Sequence, residues 1–168
     1  MSLIIASDHG AILYRARQYD RAIAQLGAAL EMDPSFCHAC GYLVISYIRE
    51  GRFREALDAV NRYVRPLSKP WALSLEAIIY GEWGRRAEAE QALAKFEESD
   101  RTESTAHNTT LLFAYIGMGH RDQAIDMLEK FFVEHSPVIP TLKTEPVYDP
   151  LRSDPRFQAL LRRVRLAQ

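Results

Sequence analysis

A short turn-forming segment recurs four times along the chain at nearly constant spacing. Its clearest copy contains a glycine, an aromatic residue and a small helix former, at Gly51, Phe53 and Ala56. The intervals between equivalent alanines are 34, 33 and 35 residues, counted along Ala22, Ala56, Ala89 and Ala124. A period of this length is typical of a two-helix repeat. The spacing therefore predicts an all-α solenoid in which each repeat packs on its neighbours.

The apolar residues within each repeat return at steps of three and four, as they do on one face of a helix. We expect one domain over residues 1–168, with repeats at about 3–36, 37–69, 70–103 and 104–137. The second helix of the second repeat is predicted to run unbroken over about 53–65. The polar stretch 98–104 predicts an exposed loop between repeats.

The C-terminal part is expected to close the array with a strap at 138–153 and a capping helix at 154–166. Pro140, Pro146 and Pro150 exclude a continuous helix from the strap and favour an extended segment across the surface. Asp154 and Pro155 are a typical helix start, a capping side chain followed by proline in the first turn. The apolar stripe of this last helix is predicted to consist of Phe157, Leu160, Leu161 and Val164.

The composition argues against several classes of partner. The chain has 21 basic and 22 acidic residues, a formal charge of −1, which gives no overall attraction for nucleic acid or an anionic membrane. No apolar run approaches the roughly 18 residues that a membrane span needs. We therefore expect a cytoplasmic protein that contacts neither nucleic acid directly nor membranes. The arginines near the C-terminus are expected to form the solvated side of the last helix: Arg152, Arg156, Arg162, Arg163 and Arg165.

Residues suited to catalysis or metal binding do not converge in the sequence. The histidines are scattered through different repeats, and neither a glycine-rich phosphate loop nor a nucleophile elbow is present. Cys37, His38 and Cys40 offer thiolates and an imidazole of the kind that zinc binds, but no second pair of ligands accompanies them. We expect packing roles for both cysteines, no metal, no cofactor and no enzymatic activity.

The second repeat carries large and small residues in a recognisable order: Cys40, Leu43, Val44, Tyr47, Gly51, Phe53, Ala56, Val60, Tyr63 and Ser68. This pattern resembles the tetratricopeptide repeat (TPR) family over about residues 3–136. The other repeats follow it with departures at His9, Glu76 and Asn108. The resemblance implies a right-handed solenoid of four helix-turn-helix repeats plus a C-terminal capping helix. It also implies a scaffold that binds a protein or peptide.

The resemblance places partner binding on the concave surface formed by the first helices of the repeats. Family members that grip a C-terminal carboxylate carry lysine and asparagine there, whereas this chain has small and apolar residues such as Gly41 and Ile45. We therefore expect an apolar groove that binds an extended strand or an amphipathic partner helix. The candidate partner-binding residues are Tyr14, Ile45, Ile48, Arg49, Trp71, Ile78, Phe113 and Ile116.

Three alternatives to an open binding groove stay possible at this point. They are a strap that fills the groove itself, a homodimerisation module of a transcriptional activator or adenylate cyclase that pairs through its apolar first repeat or its groove, and a small-molecule sensor with a closed pocket. The tail from Pro146 to Phe157 resembles the segment that closes such arrays in larger bacterial proteins. These are winged-helix transcriptional activators, class III adenylate cyclases and serine/threonine kinases. The resemblance of the tail thus implies that the chain is the C-terminal part of a larger bacterial regulator, its sensory or docking end.

Overall fold

The computed structural model describes residues 2–99 and 105–164 and has the all-α architecture that the spacing predicts. Within those ranges the chain forms nine α-helices and no strand, and no helix there combines the length and the apolarity that crossing a membrane requires. The helices are α1 (Leu3–Arg15), α2 (Tyr19–Met32), α3 (Cys37–Arg49), α4 (Phe53–Ala59), α5 (Lys69–Glu82), α6 (Arg86–Ser99), α7 (Thr105–Gly117), α8 (Arg121–Val133) and α9 (Pro155–Arg163).

A residue with left-handed backbone conformation follows the first helix of every repeat. These residues are Arg17, Gly51, Gly84 and Gly119, with φ of 60°, 69°, 78° and 75°. The next N–H in each case bonds to the carbonyl five residues back, as in Arg52 to Tyr47 at 2.9 Å, which closes the helix end. Residues at equal distance before this turn therefore occupy equivalent places in the fold. We call such a set a column.

The eight helices of the repeats pack as a solenoid. We call α1, α3, α5 and α7 the A helices and α2, α4, α6 and α8 the B helices. Each A helix contacts the B helix of its own repeat, and it also contacts the A helix of the next repeat. The approach of α5 to α7 is especially close, because a Cβ on Gly81 would lie 2.8 Å from the backbone of Gly117. Glycine is required at that crossing.

The buried side chains form two cores. The larger core runs through the first three repeats and contains Leu26, Ile79 and Phe96. The second core lies between α7, α8, the strap and α9, around Leu128 and Phe157. The C-terminal segment thus covers the apolar end of the repeat array with an apolar stripe of its own, as a cap must.

The strap is not the extended segment that its prolines led us to expect. It contains two short 3₁₀ helices, Ile139–Thr141 and Pro146–Leu151, joined by tight turns. Proline suits the first turn of such helices because its missing N–H has no helical partner to lose there. Leu142, Tyr148 and Leu151 are completely buried, so the strap is an integral part of the second core.

One further element differs from the prediction. The stretch expected as one helix over 53–65 is α-helical only to Ala59, where a π-helical turn, Val60–Val64, takes over. The Arg65 N–H bonds to the Val60 carbonyl at 2.9 Å, and the wider turn brings Val60, Tyr63 and Val64 all into the core. Helix α9 covers Pro155–Arg163, and residues 165 and 166 of the predicted capping helix lie outside the described residues. Residues 100–104 of the predicted polar loop lie outside the described residues.

Candidate functional site

The concave face contains a cavity of about 480 Å³ that is bounded by all four A helices and by the strap. Its volume falls within the range of roughly 300–1,000 Å³ found for ligand pockets. We call it the groove pocket. The repeat geometry builds most of it, because α3, α5 and α7 contribute residues from the same few columns, whereas α1 contributes Tyr14 and Arg15 near its C-terminal end.

One column forms an apolar wall of the groove pocket. Ile45, Ile78 and Phe113 each stand six residues before the turn glycine of their repeat, and all three line the cavity. Trp71 lies beside them, with Cζ2 of its ring 3.4 Å from where a Cβ on Gly41 would be. The absence of a side chain at Gly41 leaves room for the indole at the cavity wall.

A neighbouring column completes the helical wall. Tyr42, Leu75 and Thr110 each stand nine residues before the turn glycine, and all line the cavity. Tyr42 lies at the edge of the cavity, where its hydroxyl group accepts a hydrogen bond from Arg15 at 2.5 Å. The helical wall is thus apolar at its centre and carries hydroxyl groups at its edges.

The strap supplies the opposite wall through Val138, Thr141, Val147 and Tyr148. The ring of Tyr148 lies between Phe113, with centroids 6.0 Å apart, and Phe157, with centroids 6.2 Å apart. These contacts connect the cavity wall directly to the second core. The strap is therefore a fixed wall of the groove pocket.

Two ion pairs join the strap to the end of α1, and we call them the clasp. Arg15 Nε lies 2.6 Å from Glu145 Oε1, and Arg17 forms two hydrogen bonds to the carboxylate of Asp149. Arg152 also donates to Asp149, at 2.6 Å. Burial opposes ionisation of Asp149, but the hydrogen bonds from Arg17 and Arg152 outweigh it and hold the pKa of Asp149 below its usual value.

The groove pocket carries little net charge. Arg15 and Glu145 at its edge neutralise each other, and burial raises the pKa of Tyr14 and of Tyr42, so both phenols are neutral at pH 7. A charged group entering the cavity would lose its hydration without gaining an unpaired partner among these residues. The chemistry of the cavity thus favours uncharged, apolar groups.

Five of the eight residues predicted from the sequence line the groove pocket: Tyr14, Ile45, Trp71, Ile78 and Phe113. The other three do not. Ile48 and Ile116 are packed into the two cores, each 4% exposed, and Arg49 pairs with Glu82 on the next A helix. These three residues lie toward the C-terminal ends of their helices, where neighbouring A helices pack on one another.

Sequence reasoning missed two groups of cavity residues. The first is the column of Tyr42, Leu75 and Thr110, which the repeat spacing itself would have identified once one more phase was counted. The second is the set of strap residues that line the cavity, because the sequence left a strap in the groove as one alternative without indicating which of its side chains face the A helices. No local pattern at Val147 or Tyr148 signals that contact.

Cysteines and histidines do not form a metal site among the described residues, where no cluster of three potential ligands occurs. Cys40 is buried, and its Sγ lies 3.5 Å from the Phe36 carbonyl and 3.9 Å from the Tyr63 carbonyl. A thiol in this setting packs as a small apolar residue.

Comparisons with known proteins agree with this architecture. Residues 13–76 match the family model described as tetratricopeptide repeat. A solved structure of a tetratricopeptide repeat protein from Parabacteroides merdae ATCC 43184 is similar over 99% of this chain, with a TM-score of 0.51 and 16% sequence identity. The chain spans 65% of the length of that protein. No curated protein matches the chain.

An identity of 16% supports a shared fold and nothing finer. The two comparisons and the repeated turns agree on one architecture. The chain is an all-α helical-repeat solenoid, and its residues 13–76 carry the sequence pattern of the tetratricopeptide repeat.

Proposed function

We propose that this protein is a non-enzymatic scaffold that binds a partner protein by accepting uncharged apolar side chains in the groove pocket. The observation that carries the proposal is the convergence of Ile45, Trp71, Ile78 and Phe113 on one cavity of about 480 Å³. Large apolar and aromatic side chains that remain only partly buried in a concavity are common anchors of protein recognition. Ile45, Trp71 and Phe113 are half-buried here.

The strap limits what the groove can accept. Leu142, Tyr148 and Leu151 are completely buried and keep the strap in place as the wall opposite the A helices. The partner therefore presents two or three side chains, from an extended segment or from one edge of a helix lying across the opening.

A peptide-display selection on the purified protein tests this proposal. The expected enriched peptides carry neighbouring uncharged apolar or aromatic residues, because the cavity wall offers no unpaired charge. Ile45→Glu is the disrupting variant, since it places a carboxylate in the apolar wall at a position that is only half-buried. Val133→Glu is the matched control on α8, at a site that is 72% exposed and outside the cavity.

Peptides that bind the wild type and Val133→Glu alike, and lose most of their affinity for Ile45→Glu, support the groove pocket as the binding site. Enrichment of charged motifs, or affinity that Ile45→Glu leaves unchanged, contradicts it. Circular dichroism of both variants verifies that helicity is retained.

We also propose a cellular context, that this scaffold is the docking part of a larger bacterial regulator. The proposal rests on the tail segment from Pro146 to Phe157, with its Asp149-Pro150 and Asp154-Pro155 pairs. The peptide selection tests it as well. Motifs that recur in transcriptional activators, adenylate cyclases or kinases support this context, and motifs that are absent from such proteins count against it.

A further inference from the structure

Helix α1 exposes three large aliphatic side chains, because Ile4, Ile5 and Ile12 are each about 60% exposed. Ile5 and Ile12 are seven residues apart, so they lie almost one above the other along the outer edge of the helix. Ile4 lies about a quarter turn away from them, in the column of His38 and Trp71 on the concave side. Neither Ile5 nor Ile12 lines the groove pocket. The line from Ile5 to Ile12 is therefore an apolar strip that is separate from the concave face.

The repeat columns indicate what normally covers such an edge. The column of Ile12 continues with Ser46, Ile79 and Ala114, all 0% exposed. The column of Ile5 continues with Ala39 and Ala72, which are also completely buried, and with His107, which is half-buried. In those repeats the preceding A and B helices pack over these positions, as α1 and α2 pack on α3. The exposed edge of α1 therefore continues the interface between repeats and is shaped for a further helix.

We propose that a second copy of this chain covers the edge, with the two α1 helices side by side and parallel. Asp8 and His9, both exposed, lie on opposite flanks of the line from Ile5 to Ile12. Within its own copy, Asp8 Oδ1 lies 3.9 Å from Nδ1 of His38, a long contact between two exposed side chains. A twofold axis along the helices brings opposite flanks together, so Asp8 of one copy faces His9 of the second copy, twice. An imidazole N–H can donate to a carboxylate in either protonation state.

An antiparallel pairing is less favourable by the same geometry, because it sets Asp8 against Asp8 and His9 against His9. The parallel pairing also repeats the arrangement of successive A helices in a solenoid, which run in one direction. It turns the two concave faces to opposite sides. Both groove pockets then stay accessible in the dimer.

Light scattering on the full chain over about 10 µM to 1 mM tests this inference. We expect the mass to rise with concentration toward twice the 19.2 kDa of one chain. Ile12→Asp is expected to shift the midpoint at least tenfold higher, because the symmetry places two carboxylates in the apolar contact. Val133→Asp, an equally exposed apolar site on α8, is the matched control and leaves the midpoint unchanged.

A charge exchange tests the orientation. His9→Asp places a carboxylate opposite Asp8 of the second copy at both contacts and is expected to weaken the dimer. Asp8→His combined with His9→Asp restores the pairing of an imidazole with a carboxylate, and we expect it to restore the midpoint. A monomer throughout the range overturns the inference, as does a dimer that Ile12→Asp leaves intact. Failure of the double variant to recover overturns the parallel arrangement. Peptide binding in the groove is measured separately, so these outcomes do not depend on it.

Discussion

Arg17 hydrogen-bonds both carboxylate oxygens of Asp149, 132 positions later in the chain, and so joins the first repeat to the strap. The backbone of Arg17 is left-handed, where Gly51, Gly84 and Gly119 end the equivalent helices. A residue with a Cβ in this conformation is strained by about 1–2 kcal/mol. A glycine at this position would relieve the strain but would remove the ion pair to Asp149. The arginine thus keeps the ion pair of the clasp and retains the backbone strain.

Substitutions of Arg17 separate the strain from the ion pair. Arg17→Ala loses the pair and keeps the left-handed strain, and we expect it to lower the free energy of unfolding by about 1 kcal/mol. Arg17→Gly loses the pair but relieves the strain, so we expect it to be more stable than Arg17→Ala by about 1 kcal/mol. Urea unfolding followed by far-UV circular dichroism measures both. Equal stabilities of the two variants would show that the backbone conformation carries no cost.

Acidification is expected to destabilise the strap and α9. Hydrogen bonds from the side chain and N–H of Arg156 hold the pKa of Asp154 at about 2, while an unfolded aspartate titrates near about 3.9. Because the folded pKa is depressed, the stabilisation is complete above the unfolded pKa and is lost as pH falls through the folded value. The lowered pKa of Asp149 acts in the same direction.

We therefore expect the urea midpoint to fall between about pH 4 and pH 2 through these two groups. Asp154→Ser keeps an oxygen that can cap α9 but does not titrate, so its midpoint should depend less on pH in that window. Unfolding curves at pH 7 and pH 3 for both proteins provide the comparison. An identical pH dependence would mean that Asp154 contributes nothing to the acid transition.

Two glycine-to-alanine substitutions are predicted to have opposite signs. Gly84 has a φ of 78°, so Gly84→Ala strains the turn and should destabilise the protein by about 1–2 kcal/mol. Gly27 lies in the regular part of α2, and a Cβ there would meet nothing within 4 Å. Gly27→Ala should therefore stabilise the protein by about 0.5–1 kcal/mol. Chemical denaturation measures the free energy of unfolding of both variants. If both substitutions stabilise the protein, or both destabilise it, the roles assigned to the two glycines are contradicted.

The two tryptophans offer a matched test of the groove pocket. Trp71 lines the cavity, whereas Trp83 stacks on Phe53 outside it, with centroids 5.5 Å apart. Trp71→Ala should weaken binding of a selected peptide by at least about tenfold, because an anchoring wall is removed. Trp83→Ala should bind within about twofold of the wild type. Isothermal titration measures both affinities, and equal losses would indicate a general loss of structure.

The repeated turns explain why the solenoid was predictable from sequence. Gly51, Gly84 and Gly119 mark the same helix end in three repeats, and the apolar steps between them are local patterns that a helix imposes. The cavity residues Ile45, Ile78 and Phe113 followed, since they share one column. The apolar periodicity shows which residues share one face of a helix. Because the same face of each A helix recurs in every repeat, this was sufficient to predict the wall of the cavity.

Features that depend on distant contacts were not predictable in this way. The π-helical turn at Val60–Val64 contains one residue more than an α-helical turn. The apolar pattern of the sequence does not indicate this extra residue. The strap forms 3₁₀ turns because Leu142 and Leu151 can be buried against α7, α8 and α9, which lie near it only once the chain has folded back. Proline correctly excluded a long helix but could not indicate what replaces it.

The most direct measurement of the central proposal is a chemical-shift map of the isotope-labelled protein with a peptide from the selection. The account predicts that the largest shifts occur at Ile45, Trp71, Phe113 and Val147, on both walls of the groove pocket. The exposed side chains of Ile12 and Val133 should be unaffected. Shifts confined to the B helices or to the outer edge of α1, with the cavity residues unchanged, would contradict the groove pocket as the site of partner binding.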